Sequence, residues 1–424
     1  MFDRDHCAPP ECGRGRDLPR RTMIRSAVAL TFLAAGGLIP VAEAGDGPTG
    51  VVYVQSNDPN GNAILAYRRH ADGSLTPLPG SPFATGGLGI TPSFNLGPFD
   101  SDQEIITNPS HTLLFATNGG SDTVAVFHIA EDGSLTPVAG SPFPSGGSNP
   151  VSLGLAGDIL CVVNKDADPD HPGRSLPNYT SLRVTANGRL VPVPRSTVTE
   201  PLGADPSQAL ISPDGTFVYG ADFLGGVLRS LAIDGSGRLT SLATLPLPPA
   251  EFADSGAPPL PLGLAAHPKK PILYVGFVTI NRVGVYRRGG DGGLRFVRTV
   301  PDSGAGVCWL LVNRQATRLY ASNTGDPSIS VYDIGGEPAE PLEIQKVNLN
   351  VVPGSHPGGF QIALDPSGGF FHVVTQQSSA KSTPMANAIH VFRVGADGTL
   401  SEVPSSPTVL PVPALVRPQG VVAF

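Results

Sequence analysis

Charged residues are scarce in this chain, and so are cysteine, methionine and tryptophan. Asp, Glu, Lys and Arg make up 15% of the 424 residues, and the chain has 4 Cys, 3 Met and 1 Trp. So little Glu and Lys argues against long amphipathic helices, and hence against a helical or doubly wound protein. The net charge of −7 excludes no class of protein by itself, but it makes nucleic acid an unexpected partner.

Sequence motifs for metal, cofactor or nucleophile chemistry are also lacking. The chain has no His-Glu-x-x-His, Cys-x-x-Cys, Gly-x-Ser-x-Gly or phosphate-loop pattern, so neither a metal site nor a cofactor is predicted. Residues 166–171 carry oxygen ligands of the kind that Ca²⁺ takes, but not the glycine and final glutamate of an EF-hand loop. A solvated loop is the simpler interpretation of this stretch.

Glycine and proline are what the chain has in excess. The chain has 52 Gly and 45 Pro, together about 23% of the residues, where about 12% is usual. The excess is spread along the chain rather than gathered in one tract. Such even punctuation predicts many short strands joined by tight turns.

The N-terminal segment is predicted to direct export. An apolar run at residues 26–41 follows a basic stretch and precedes the small-residue sequence 42–44. Because the run is short for a bilayer span and contains Gly and Pro, we predict that residues 1–44 are a cleaved signal peptide. Its arginine pair resembles a twin-arginine signal, whereas a start at Met23 leaves an ordinary secretory one. An uncleaved anchor is the alternative.

Export sets the expected location of the rest of the chain. We expect residues 45–424 to form a single domain in the periplasm or outside the cell, as a monomer with no integral membrane segment after cleavage.

A repeated sequence pattern accounts for the length of that domain. The sequence DGSLTPLPGSPF at residues 72–83 recurs almost unchanged at residues 132–143. Weaker copies follow, at a mean spacing of about 54 residues. The leucines that align them are Leu75, Leu135, Leu190, Leu239, Leu294, Leu342 and Leu400. A second marker, a strand such as VYVQSN at residues 52–57, precedes each leucine.

Each unit is predicted to hold four short antiparallel strands separated by Pro-Asp-Gly and Asp-Gly turns. Repeats of this kind predict an all-β, seven-bladed β-propeller. Residues 417–424 look like an inner strand with no blade after it, and the domain begins on a second-strand marker with no inner strand before it. We therefore predict that the N- and C-terminal strands join in one blade and close the ring, which leaves no open sheet edge.

The blade assignment also predicts the state of the cysteines. Cys7 and Cys12 lie in the predicted signal peptide, which leaves Cys161 on a second strand and Cys308 on an inner strand three blades away. That separation exceeds the roughly 4–7 Å between the Cα atoms of a disulfide. Both are predicted to be buried and free, although exported compartments permit disulfides.

These markers resemble those of the lactonase-like seven-bladed propellers, the family of one type of 6-phosphogluconolactonase, and of YVTN and WD40-type repeats. The resemblance covers residues 50–424 and implies a lactone hydrolase without metal or cofactor. It also implies an Arg and a His at the start of one inner strand and a Glu after the second strand of that blade. Here Cys308, Trp309 and Thr324 stand at those three places.

The candidate site lies where the long connections gather. Turns between first and second strands are short, and the long segments all connect strands at the opposite face of a propeller, which is predicted to carry the functional surface. These segments are residues 81–101, 166–179, 246–261 and 376–387.

Polar residues near the inner-strand starts supply the candidate side chains. Lactone opening needs a base toward water and a group that stabilises the oxyanion. Glu104 or His356 is the candidate base, and Arg417 is the candidate stabilising group. The candidate ligand-binding residues are Asp102, Asn149, Asp205, Gln208, Trp309 and Gln419. The simpler alternative is that these groups only solvate the channel entrance.

Three functions remain open from the sequence. The first is a binding propeller for a small polar molecule or a cell-surface partner at the loop-rich mouth. The second is a metal-independent lactone hydrolase, as the resemblance implies. The third is a structural surface protein of YVTN type.

Overall fold

Short strands make up almost all of the regular structure. The computed structural model describes residues 48–91, 101–168, 170–377, 381–413 and 415–424, with 32 β-strands and three 3₁₀ turns. These residues belong to one compact unit, Ala44–Phe424. None of the helices in the described segments is both long enough and apolar enough to cross a membrane. The predicted signal peptide, residues 1–44, lies outside the described residues.

The strands form seven antiparallel sheets, called blades 1 to 7. Blade 1 contains β1 (Pro48–Gln55), β2 (Ala63–His70), β3 (Leu75–Pro77) and β4 (Phe83–Ala84). Blade 2 contains β5 (Ile105–Thr107), β6 (Leu113–Asn118), β7 (Thr123–Ile129), β8 (Leu135–Pro137) and β9 (Phe143–Pro144). Blade 3 contains β10 (Pro150–Ala156), β11 (Ile159–Asn164), β12 (Asn178–Val184), β13 (Leu190–Pro192) and β14 (Val198–Thr199). Blade 4 contains β15 (Leu210–Ile211), β16 (Phe217–Asp222), β17 (Val227–Ile233) and β18 (Leu239–Pro246). Blade 5 contains β19 (Pro261–Ala266), β20 (Ile272–Phe277), β21 (Arg282–Arg288) and β22 (Leu294–Pro301).

Blades 6 and 7 complete the chain order. Blade 6 contains β23 (Val307–Val312), β24 (Arg318–Asn323), β25 (Ser328–Asp333) and β26 (Leu342–Asn348). Blade 7 contains β27 (Pro357–Leu364), β28 (Phe370–Gln377), β29 (Ala388–Val394), β30 (Leu400–Glu402) and β31 (Thr408–Val409). The last strand, β32 (Gln419–Ala423), belongs to blade 1. The 3₁₀ turns are η1 (Pro249–Glu251), η2 (Val278–Ile280) and η3 (Pro384–Ala386).

The predicted seven-bladed propeller is confirmed. Within each blade the strands pair in the order inner, second, third and outer, and all seven sheets repeat this order. Apolar side chains on facing blades pack against each other, as Tyr53 and Ile64 of blade 1 do with Leu114 and Phe127 of blade 2. The core is therefore divided among the interfaces between blades.

The outer strand departs from the predicted single strand in blades 1, 2, 3 and 7. There it is two short segments that pair with the same third strand. In blade 2 the gap between them is filled by Ser141, whose Oγ accepts a hydrogen bond from Val126 N at 2.8 Å. Ser81 Oγ accepts from Ala66 N and Ser406 Oγ from Val391 N in the same way. The Ser-Pro pair that recurs in blades 1, 2 and 7 thus supplies a side-chain acceptor where the ladder is interrupted.

The predicted closure of the ring is also confirmed. β32 is the inner strand of blade 1 and pairs with β1, with Tyr53 opposite Val422. Phe424 and Val51 exchange two backbone hydrogen bonds, of 2.6 and 3.0 Å. Across the neighbouring interface, Arg69 of blade 1 forms a buried ion pair with Asp365 of blade 7 at 2.9 Å. No strand edge is left open between the first and last parts of the ring.

Strand direction defines two faces. Each inner strand begins at the face with the connections between blades and between second and third strands, here called the loop-rich face. It ends at the opposite face, here called the turn face. The described parts of two predicted long segments, residues 166–168 and 170–177 between β11 and β12 and residues 247–260 between β18 and β19, lie on the loop-rich face. Residues 92–100 and 378–380, which belong to the predicted segments 81–101 and 376–387, lie outside the described residues.

Candidate functional site

The inner strands surround a central cavity of about 390 Å³. Its walls come from six of the seven blades and are mostly aliphatic. They include Ile105, Leu210, Leu264, Leu310, Ile362 and Val421. Asp102, Gln103 and Gln208 line it near the inner-strand starts, and Thr107 and Val312 line it at the strand ends. The cavity therefore extends from a polar end toward the turn face.

Residues 101–104, which precede β5, cross the channel on the loop-rich side of this cavity. Asp102 N donates a hydrogen bond to Ser207 O of blade 4 at 3.2 Å, and Gln103 O accepts one from Leu153 N of blade 3 at 3.0 Å. These bonds occupy inner-strand edges that would otherwise face the channel, so the crossing segment closes this end of the cavity.

Gln208 fixes the crossing segment. Its Nε2 lies 2.9 Å from Gln103 Oε1, 3.2 Å from Leu264 O and 3.4 Å from Asp102 Oδ2, and its Oε1 accepts from Leu264 N at 2.7 Å. The structure thus brings the predicted ligand-binding residues Asp102 and Gln208 together. Removal from water raises the pKa of Asp102 to about 7, although the hydrogen bond from Gln103 N opposes this shift.

Glu104 lies on the other side of the crossing segment. It is buried, and its Oε1 accepts a hydrogen bond from Gln361 Nε2 at 3.0 Å. The same amide nitrogen donates to Ser101 O at 2.7 Å. Glu104 therefore faces blade 7, whereas Asp102 faces the cavity.

Arg417 is buried at the start of β32. Its Nε donates to Gln376 Oε1 at 3.2 Å, and its guanidinium carbon lies 5.7 Å from the centre of the Phe360 ring. Its carbonyl oxygen accepts from Asn57 Nδ2 at 3.2 Å. Gly420, three residues after Arg417, packs against the side chain of Glu104, so Arg417 and Glu104 belong to one neighbourhood, formed by blades 7, 1 and 2.

Buried glutamines surround these two charged residues. We call Gln361, Gln376, Gln377 and Gln419, together with Glu104 and Arg417, the amide cluster. All four amides are less than 4% exposed. Several of their polar atoms have no hydrogen-bond partner among the described residues: Gln361 Oε1, Gln376 Nε2, Gln419 Nε2 and both side-chain atoms of Gln377. Such buried amides normally have partners, so these atoms mark places for water or ligand.

The other predicted site residues lie outside the amide cluster. His356 is exposed on the loop-rich face, with a φ of 51°, and its carbonyl accepts from Ser382 Oγ at 2.6 Å. Asp205 forms an ion pair with the fully buried amine of Lys165 at 3.0 Å. Asn149 accepts from Ala167 N through its Oδ1. The side chains of Asp205 and Asn149 thus have structural partners in the connection between β11 and β12, and His356 is held through its backbone carbonyl.

The positions that the family resemblance singles out are engaged with one another or with the core. Thr324 Oγ1 lies 3.0 Å from Cys308 Sγ and donates to Gly359 O at 2.8 Å. Trp309 is fully buried in the apolar cluster between neighbouring blades. Cys308 and Thr324 are therefore spatial neighbours, as an Arg and a Glu of one site would be.

Sequence reasoning missed Gln103, Gln361, Gln376 and Gln377. A signal was present: Gln361 interrupts the apolar run of β27, and Gln376 and Gln377 end the buried strand β28. Amides inside apolar strands are costly to bury without partners. In the part of the chain that the structure describes, no group of three or more His, Cys, Asp and Glu side chains is arranged to hold a metal ion.

Fold and channel together define the class: a seven-bladed propeller with the architecture of the lactonase-like propellers. No family model matches the sequence, and no curated protein matches it. The similarity is to solved structures. The Pseudomonas aeruginosa periplasmic gluconolactonase has a TM-score of 0.66 at 17% identity, covering 88% of this chain and 98% of that one.

Two candidate 6-phosphogluconolactonases resemble the chain equally. The one from Bacteroides uniformis has a TM-score of 0.64 at 14% identity, covering 88% of this chain and 99% of that one. The one from Bacteroides fragilis has a TM-score of 0.61 at 16% identity, with 88% and 98% coverage. At such identities the likeness establishes the fold.

Proposed function

We propose that the protein is an exported propeller that binds a small polyhydroxylated molecule, a sugar or sugar acid, at the amide cluster. The observation that carries this proposal is the set of buried amide atoms without partners around Arg417 and Glu104. An amide offers both a donor and an acceptor, which is what a hydroxyl group requires. Arg417 adds a cation suited to the carboxylate of a sugar acid.

Lactone hydrolysis at the same cluster is the second candidate. One solved neighbour is named a periplasmic gluconolactonase, and a buried carboxylate and a buried guanidinium lie in one neighbourhood here. In this mechanism Glu104 takes a proton from the attacking water, and Arg417 stabilises the oxyanion that forms at the lactone carbonyl. His356, which is exposed on the loop-rich face, is the alternative base toward the attacking water.

Binding is tested by titration calorimetry with D-gluconate. Wild type is expected to bind it, and Gln376→Ala and Arg417→Met are expected to weaken binding at least tenfold, because each removes a contact of the cluster. Gln315→Ala, an exposed glutamine on the turn face, is the matched control and should bind normally. Unchanged binding in both cluster variants, or none in wild type, contradicts the proposed ligand class.

Hydrolysis is tested by following acid release from D-glucono-1,5-lactone. Replacing one positioned acid–base group costs about 10²–10⁴ in rate. Glu104→Gln should show such a loss if Glu104 is the base, and His356→Gln should show it if His356 is. Arg417→Met should be slow in either case. Full activity in all three variants excludes this mechanism, and a wild type that binds gluconate without turnover leaves binding as the function.

Export is part of the proposal and has its own measurement. The apolar run at residues 26–41 with its basic flank supports it. Edman sequencing of protein recovered from the periplasm or medium is expected to begin just after Ala44. An intact N-terminus on protein that stays with the cells contradicts it.

A further inference from the structure

We propose that the central cavity is a separate binding site, which takes a small primary amine with an apolar body and holds its ammonium group against the Asp102 carboxylate. This site lies on the turn-face side of the crossing segment, whereas the amide cluster lies on the other side of it. The inference is therefore independent of the proposed sugar site.

The polar end of the cavity calls for a ligand that donates hydrogen bonds. Asp102 Oδ1 accepts from Gln103 N at 2.9 Å, and Oδ2 is 3.4 Å from Gln208 Nε2. An ionised carboxylate has about four acceptor sites, so capacity remains. Gln208 Nε2 already donates to Gln103 Oε1 and to Leu264 O, and Gln208 Oε1 accepts from Leu264 N. Besides the amide nitrogen of Gln103, what this end offers is acceptor capacity on Asp102, which is the only charged group among the described lining residues.

Charge favours a cation. Asp102 has no ion-pair partner among the described residues, and it is the one ionisable residue among those described as lining the cavity. Glu104, two residues further on, faces Gln361 instead. A carboxylate withdrawn from water without a cation is unfavourable, and a bound ammonium group supplies the missing charge where the low dielectric strengthens the attraction.

The remaining walls suit an apolar body. Six aliphatic side chains from different blades enclose the space, whose volume of about 390 Å³ falls in the range of small-molecule sites. From Gly420 to Ala423, which line the cavity, the inner strand β32 advances roughly 10 Å at about 3.3 Å per residue. A linear six-carbon amine fits within that length with its tail toward the turn face.

The test is calorimetry with hexylamine, hexan-1-ol and hexanoate, which share a tail and differ in the head group. Wild type is expected to bind hexylamine at least tenfold more tightly than hexan-1-ol, and hexanoate most weakly. Asp102→Asn, nearly isosteric, is expected to remove the preference for the amine while still binding the alcohol. Gluconate binding should stay as in wild type in Leu210→Trp, which fills the cavity and touches no residue of the amide cluster, and this result separates the two sites.

The pH dependence provides a second readout. Because burial raises the pKa of Asp102 to about 7, its ionised fraction rises from about 0.09 at pH 6 to about 0.91 at pH 8, and hexylamine affinity is expected to rise roughly tenfold. Affinity for hexan-1-ol should stay flat, and Asp102→Asn should lose the slope. Leu210→Trp, which fills the cavity and keeps Asp102, should abolish binding of both. Equal affinity for amine and alcohol, or an unchanged Asp102→Asn, overturns the proposal.

Discussion

His372 is a neutral imidazole in the core of blade 7. It is fully buried on β28, and removal from water lowers its pKa to about 3, with the positive charge of Arg69 acting in the same direction and Asp365 opposing it. His372 therefore stays neutral in the folded protein at pH values below about 6.5, where the same histidine in the unfolded chain binds a proton. Stability that is present at pH 8 is lost as the pH falls through that value.

Because His372 makes the folded protein less stable at low pH, we predict a weaker pH dependence of stability for His372→Leu. From pH 8 to pH 5, His372 should cost the wild type about 2 kcal/mol of unfolding free energy, and the variant should lack this part of the loss. Urea unfolding at both pH values measures the two differences. Parallel pH dependence in the two proteins would mean that the folded protein protonates His372 after all.

The thiols give a second prediction at the scale of single residues. Cys161 and Cys308 are both buried thiols outside any disulfide, as the blade assignment predicts, and burial raises the pKa of Cys161 to about 12. Thiolate is the reactive form, so native protein at pH 8 should resist iodoacetamide at both positions. Peptide mapping after alkylation in denaturant should find both residues labelled. A peptide that links the two by a disulfide is the contrary result.

At the scale of the strand, the repeated serine of the outer edge should contribute measurably. In Ser141→Ala the buried Val126 N loses its acceptor, at an expected cost of about 1–3 kcal/mol. Ser401→Ala, on an exposed position of β30, is the control and should change stability by less than about 0.5 kcal/mol. The midpoints of urea unfolding of wild type, Ser141→Ala and Ser401→Ala measure these changes in stability. Equal loss in both variants would show that the bridging bond contributes nothing specific.

Elements that repeat were predictable from the sequence, and contacts that break the repeat were not. Leu135 and its counterparts each begin an outer strand, and six of the seven pack against neighbouring apolar side chains, whereas Leu342 is exposed. The crossing of the channel by residues 101–104 depends on a pairing between Asp102 and Ser207, 105 residues apart, that has no counterpart among the described residues of the other blades. Periodicity contains no information about such a contact.

The candidate site shows the same division. Polar residues near the inner-strand starts were identifiable as a class, but their partners were not. Whether Glu104 faces the cavity or Gln361 is settled by the path of one short segment, and Asp102, two residues earlier, faces the other way.

For the whole molecule, ring closure rests on a single strand. Deleting residues 417–424 removes β32 and exposes the inner edge of β1 and the side of blade 7, so we expect aggregation or a large loss of melting temperature. Differential scanning calorimetry and light scattering measure both. The control is a circular permutant that joins Phe424 to Pro48 through a short linker and opens the exposed turn at Gly235. It keeps every strand and should melt as wild type does. A truncated protein that stays monomeric and melts normally contradicts this account.

The antiparallel closure also determines how the ring responds to tension. Pro48 begins β1 and Phe424 follows β32 at the same end of their shared ladder. A load applied through these two residues runs across the strands, so it meets the hydrogen bonds one after another, beginning at Val51 and Phe424. A pull along the strands would have to break them together. A force applied between Pro48 and Phe424 is therefore expected to separate β1 from β32 first, so blade 1 is the mechanically weak point of the ring in this direction.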